Sequence, residues 1–216
     1  ALLPSLLPVY MEHGLVEIRK SLSGNLSGPF ALLVSAWFFH RLRLSRHDMA
    51  PLLLAYLGPC CGVAFATLFG MAAAENLKFG SESNFQTSGG YGPNQVSTVL
   101  GLGTLFSLAY ALLAARSATE RVAATCLAIG LLALCVLTFS RGGLYNTLGA
   151  LAVAGLFVVR DPAQAARYVL ASGLTLVVFA LMVFPALNEF TGGKLESRFR
   201  NTEASNREDI ARADLE

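Results

Sequence analysis

Charge interrupts this chain so rarely that most of it reads as helix passing through lipid. Met49 to Ala74 is 26 residues without a charge, Val122 to Ser140 is 19 and Gly142 to Val159 is 18. Lipid offers backbone groups no water, so a spanning segment satisfies them internally, and roughly 20 mainly apolar residues of helix cross an apolar core of about 30 Å. Charged residues are 14% of the chain, against about 25% in soluble domains, and hydrophobic residues are 54%. That balance excludes a soluble globular fold. A net charge of +2 is too small to point to nucleic acid. Cys60, Cys61, Cys126 and Cys135 all fall in apolar runs with no histidine at ligand spacing. Neither a metal site nor a disulfide framework is expected, and no cofactor.

The chain is expected to be all-α, a polytopic helical membrane protein of about six transmembrane helices. The spans are Ser21 to Phe39, which ends in Trp37-Phe38-Phe39, then Met49 to Ala74 with a kink at Pro59, then Pro93 to Ala115. Val122 to Phe139, Leu144 to Val159 and Tyr168 to Leu187 follow. Residues 1–20 read as a connecting or interfacial segment. No signal peptide is assigned, since Ala1 to Leu7 lacks a basic leader and is broken by Pro4 and flanked by Pro8. Residues 1–187 form the membrane domain and 188–216 the start of a large outer, periplasmic loop, in a chain expected to be cut from a longer one at both ends. The loops at 40–47, 116–121 and 160–167 hold seven arginines, whereas 75–92 and 140–143 hold only Lys78 and Arg141. Basic loops stay in the cytoplasm, so the arginine-poor loops face outward. Arg19 and Lys20 disagree with that assignment, but three loops outweigh one segment.

Two turns share the outer face. In Phe139-Ser140-Arg141-Gly142-Gly143-Leu144-Tyr145, a single arginine stands between two spans. A guanidinium there needs protein, water or an anion around it, since arginine at a bilayer centre costs roughly 2.5 kcal/mol or more. Gly142 and Gly143 admit a ligand close to the backbone, and the helix that follows offers N–H groups and a positive dipole end. The second turn, Ser88-Gly89-Gly90-Tyr91-Gly92-Pro93-Asn94-Gln95, ends a loop and starts a helix, with proline at its first position. Gly92, Pro93, Asn94, Gln95, Ser140 and Gly142 are therefore candidates to bind an anion such as phosphate, with Arg141 as its clamp. The plainer alternatives are an interfacial arginine closing a hairpin and a simple capping sequence. Arg198, Arg200 and Arg207 lie in the polar tail, where they either join the site or form a solvated basic face. Ser205 and Glu208 fit a capping box that would start a helix there. No Ser-His-Asp set, cysteine-histidine pair or paired intramembrane carboxylates can be assembled.

Gly-Tyr-Gly-Pro-Asn-Gln at 90–95, Thr-Phe-Ser-Arg-Gly-Gly at 138–143 and Ser-Asn-Arg-Glu-Asp-Ile at 205–210, in this order between apolar spans, resemble the O-antigen ligase and O-antigen polymerase superfamily. The resemblance runs from about residue 50 to 216. It implies a metal-independent, membrane-embedded glycosyltransferase of surface polysaccharide and lipopolysaccharide biosynthesis, in the bacterial inner membrane with its active face periplasmic. Such an enzyme passes a glycan from an undecaprenyl diphosphate carrier to a hydroxyl of a lipid or glycan acceptor. By the resemblance Arg141 and Arg207 take catalytic roles and Asn94 matches the asparagine after proline. The family's histidine-asparagine motif, proposed to activate the acceptor, is expected beyond Glu216, so the chain as given is expected to be inactive. Two other classes stay open: a transporter of lipid-linked glycans, though no polar mid-span residue or repeated half supports it, and a non-catalytic membrane subunit.

Overall fold

The computed structural model describes residues 19, 23, 26–40, 42, 45–74, 77–80, 82–158 and 162–200. It divides into two units, Ala1–Ser45 and Arg46–Glu216. The described part of the first unit is dominated by one apolar helix, α1, Leu26–His40. Its side chains are exposed along its whole length, Phe30, Leu32, Leu33 and Trp37 among them. A helix apolar on every side is one that lipid surrounds. The part of the first expected span before Leu26, apart from Ser23, lies outside the described residues.

In the second unit the described residues contain no strand. Helices α2 (Arg46–Ala73), α3 (Pro93–Leu113), α4 (Ala118–Leu137), α5 (Arg141–Val158) and α6 (Pro162–Val178) follow in order, then α7 (Phe184–Phe190) and α8 (Lys194–Arg200). Four segments are long and apolar enough to cross a membrane: Asp48–Ala73, Pro93–Leu113, Ala118–Leu137 and Ala165–Phe190. The protein is an all-helical membrane protein, as the uncharged runs require. α5 is 18 residues long and starts at Arg141, three residues earlier than expected. The long last span is not α-helical throughout. Pro185 has no N–H with which to close a turn onto Leu181, and a π-helical turn over Phe179–Val183 joins α6 to α7.

Boundaries follow local chemistry. Ser117 caps α4 by accepting from the Glu120 amide at 3.1 Å, while Glu120 accepts from the Arg116 amide at 2.8 Å. This is a capping box displaced by one residue. α3 packs against α2, α4 and α5. Close approach depends on small residues: a side chain at Gly101 would run into Thr147, one at Gly103 would lie 2.9 Å from the Cys60 Cβ, and one at Gly143 would collide with Ser97. Around these contacts Val96, Leu100, Leu131, Leu134, Cys135 and Leu137 form a buried cluster. Two buried hydroxyls are satisfied within their own helices, Thr104 by the Leu100 carbonyl at 3.1 Å and Thr147 by the Gly143 carbonyl at 2.8 Å, whereas those of Ser107 and Thr175 have no hydrogen-bond partner among the described residues. The bundle therefore has a fixed register at the end where α3 and α5 begin and α4 stops.

Candidate functional site

The loop before α3 is organised by Asn84. Its side-chain oxygen accepts from the Gln86 amide at 2.9 Å and the Thr87 amide at 3.4 Å, and its side-chain nitrogen donates to the Lys78 carbonyl at 2.8 Å. Its backbone oxygen accepts from the hydroxyls of Thr87 and Ser88, and its amide donates to the Thr138 carbonyl at 3.0 Å. One asparagine thus ties the loop to the end of α4. A 3-10 turn over Gln86–Ser88 follows and closes on Gly89 with φ of 68°. Gly89 lies directly on α2, where a side chain at Gly70 would stand 2.6 Å from the Gly89 Cα. Gly90 also has positive φ, at 84°. Both positions need glycine for conformation, and Gly89 also for space, since a side chain there would stand 3.0 Å from the Ala66 carbonyl oxygen. The chain then reaches Gly92, the cap residue of α3, with Pro93 in its first turn as expected.

The second turn is tighter. α4 ends at Leu137, and Phe139 adopts φ of 58°, the one non-glycine in the left-handed region among the described residues. That conformation costs on the order of 1–3 kcal/mol for a residue with a side chain. Burial of the ring offsets it: Phe139 is fully buried with Leu132, Val136, Phe179 and Leu195, and its ring stacks on Phe79 at 6.0 Å. A fully buried large apolar side chain contributes about 1.5–3 kcal/mol. The left-handed residue reverses the chain at once, so α5 begins two residues later. Ser140 is its cap: buried, its Oγ accepts from the Gly143 amide at 3.2 Å. The same Oγ donates to Oδ1 of Asn94 at 2.8 Å. The starts of α3 and α5, 46 residues apart in sequence, are joined by that bond.

Arg141 opens α5 beside this junction, and its side chain is half-buried. A side chain at Gly142 would meet nothing within 4 Å, whereas Gly143 is pressed against Ser97. Of the two glycines expected to admit a ligand, Gly142 has the open space and Gly143 serves helix packing. Gln95 folds its side-chain amide back onto Gly92.

The tail also returns to this end. Gly192 and Gly193, with φ of 62° and 77°, turn the chain after α7. Asn188 then accepts from the Glu196 amide at 3.0 Å and donates to the Glu196 carboxylate at 3.2 Å. Leu195 is thereby inserted, fully buried, beside Phe139. One turn on, Nε of Arg198 donates to the Phe139 carbonyl at 3.2 Å. Arg200 instead forms an exposed ion pair with Glu196 at 3.0 Å. Arg207, and the capping box of Ser205 and Glu208, lie outside the described residues.

Gly92, Pro93, Asn94, Gln95, Ser140, Arg141, Gly142 and Arg198 are therefore gathered at one end of the bundle by two turns and the returning tail. Two helix starts and two guanidinium groups make that end suited to a multiply charged anion. Asn84, Phe139 and Leu195 hold the arrangement and were not expected. Among the described residues no group of histidine, cysteine or carboxylate side chains could hold a metal ion. The fold and this junction define a helical membrane protein with a polar, arginine-bearing cluster at one end. Comparison with known proteins finds no family model, no curated protein and no solved structure that matches the chain.

Proposed function

We propose that the protein is an integral-membrane glycosyltransferase that takes a glycan from an undecaprenyl diphosphate carrier and passes it to an acceptor hydroxyl, in the manner of O-antigen ligases and polymerases. The carrying observation is the Ser140–Asn94 hydrogen bond, which sets the starts of α3 and α5 side by side with Arg141 at the head of α5. Helix starts direct backbone N–H groups and a positive dipole end at one region, and a guanidinium adds two parallel donors matched to phosphate oxygens. Departure of a diphosphate develops negative charge on the leaving oxygens, and fixed donors in a site of low dielectric stabilise that charge. In this reading Arg141 holds the diphosphate, Gly142 leaves room for it at the backbone, and Asn94 and Ser140 keep the two helix starts in register. Arg198 supplies a second cation through its hold on the Phe139 carbonyl. The membrane is the bacterial inner membrane and this end of the bundle is periplasmic. Ligase and polymerase use the same donor, so the site serves either.

The test is binding of undecaprenyl diphosphate to the purified full-length protein, together with transfer of its glycan in membranes. Affinity that falls with salt and with Arg141→Ala, alongside loss of transfer, is the expected result. Carrier binding with export and no transfer would replace the reading with a transporter, and absence of diphosphate binding would remove it.

A further inference from the structure

The proposed carrier has a long isoprenoid tail, and the tail needs a path from the diphosphate into the membrane. On α5, Arg141, Tyr145, Leu148, Ala152 and Gly155 follow one another at helical spacings of four, three, four and three residues, which keeps them on one face. Gly143 and Thr147, which pack toward α3 against Ser97 and Gly101, lie on the other side of the helix. The face that begins with Arg141 is exposed at Tyr145 and Leu148. From Leu148 to Gly155 it forms one wall of a groove whose other wall is α6, with Ala165, Tyr168, Val169 and Ser172. The groove holds about 330 Å³, within the ~300–1,000 Å³ of ordinary ligand sites. It exists because Ala152, Gly155 and Ala165 are small where the helices face each other.

Its polar groups are already satisfied. The Tyr168 hydroxyl donates to the Leu151 carbonyl, and the Ser172 hydroxyl donates to the Tyr168 carbonyl at 2.7 Å. The lining therefore favours an apolar occupant with no head group of its own at that depth. Val169, 64% exposed, leaves the groove open along its flank. From Arg141 to Leu148 is seven residues, about 10 Å along the helix. A chain fixed at its head by the α5 start would enter the groove after that distance.

We infer that the α5–α6 groove is the binding path for the isoprenoid tail of a lipid diphosphate whose head group lies at Arg141, an inference that rests on the function proposed above. Three probes test it on the purified full-length protein in detergent micelles: undecaprenyl diphosphate, dimethylallyl diphosphate and dioleoylphosphatidylglycerol. Dimethylallyl diphosphate carries one isoprene unit and reads the head-group end alone. Ala152→Phe fills the groove from α5, and Val169→Trp, at an exposed position, fills it from α6 should the first variant fail to fold. The expected result is about a tenfold loss of undecaprenyl diphosphate affinity in either variant, with dimethylallyl diphosphate affinity retained. Unchanged undecaprenyl diphosphate affinity in both variants, with Arg141→Ala still weakening both diphosphates, would overturn the tail path and leave the function standing. Equal competition by dioleoylphosphatidylglycerol would also overturn it, as a general site for membrane lipid. Failure of both diphosphates to bind the unaltered protein would remove the proposed function and the tail path with it.

Discussion

The hydrogen bond between Ser140 and Asn94 is the strongest claim the site makes, and a double-mutant cycle across it reads its worth. Ser140 is 1% exposed and its hydroxyl does two things, accepting from the Gly143 amide and donating to Asn94. Ser140→Ala loses a helix cap, typically about 1 kcal/mol, and one net hydrogen bond, also about 1 kcal/mol. It should therefore destabilise the protein by roughly 2 kcal/mol. Asn94 is itself exposed, but Asn94→Ala leaves the buried Ser140 hydroxyl without its acceptor and should cost about 1–3 kcal/mol. In the double variant the cross-helix bond is lost once, not twice, which leaves a coupling of about 1 kcal/mol. Equilibrium unfolding of the four purified proteins in detergent micelles, followed by far-ultraviolet circular dichroism, measures all three quantities. Additivity within about 0.3 kcal/mol would mean the bond does not hold the two helix starts together, and the anion site built on it would fall.

Other expectations follow from single contacts. Arg141→Lys keeps the charge but loses the planar fork, so transfer should drop about tenfold to a hundredfold, on the scale of one charge-assisted hydrogen bond of ~1.5–3 kcal/mol, with protein level unchanged; a fully active lysine variant would return Arg141 to the role of an interfacial anchor. A cysteine at Ser83 should react with a membrane-impermeant thiol reagent in intact cells while one at Ser117 resists it, and the reverse pattern would overturn the orientation and the placement of the site. Gly143→Ala drives a methyl group into Ser97 and should destabilise by about 1–3 kcal/mol; Gly142→Ala, with open space, should be neutral or stabilising by thermal unfolding yet weaken diphosphate binding. Phe139→Gly relieves the left-handed strain but loses a buried ring, typically about 3–5 kcal/mol when truncated to alanine, so a net loss in unfolding free energy is expected; a gain would mean that burial does not hold the turn.

Much of the fold could be read from charge spacing, because in a membrane an uncharged run has few alternatives to a helix. One cap marked a helix start: Gly92-Pro93 before α3 was visible as a signal and functions as such, whereas α4, capped by Ser117, starts at Ala118, four residues before the expected Val122. The convergence of the two turns followed from topology, since loops separated by an even number of spans share a side. Other features depended on tertiary partners. Nothing local distinguishes Gly142 from Gly143, and only the position of Ser97 makes one open and the other a packing contact. α5 starts at Arg141, with Ser140 as cap, inside the stretch expected to be a turn before Leu144. Leu195 and Phe199 did carry a signal, two apolar residues four apart in a charged tail, which is the spacing of a helix with one face to bury.

Phe139 explains why these separate features meet. A glycine is the usual residue where a helix ends in the left-handed region, and the chain has two just beyond, at 142 and 143. Placing phenylalanine there makes the turn depend on burial of its ring rather than on local freedom. Burial requires Phe79 from the loop before α3 and Leu195 from the returning tail. The same residue presents its carbonyl to Arg198, while the Thr138 carbonyl before it accepts from Asn84. The loop, the tail and the start of α5 are thus assembled on one strained residue. Loosening any of the three exposes the ring and removes the compensation for its backbone, so the end of the bundle that holds Arg141 should order or melt as a unit.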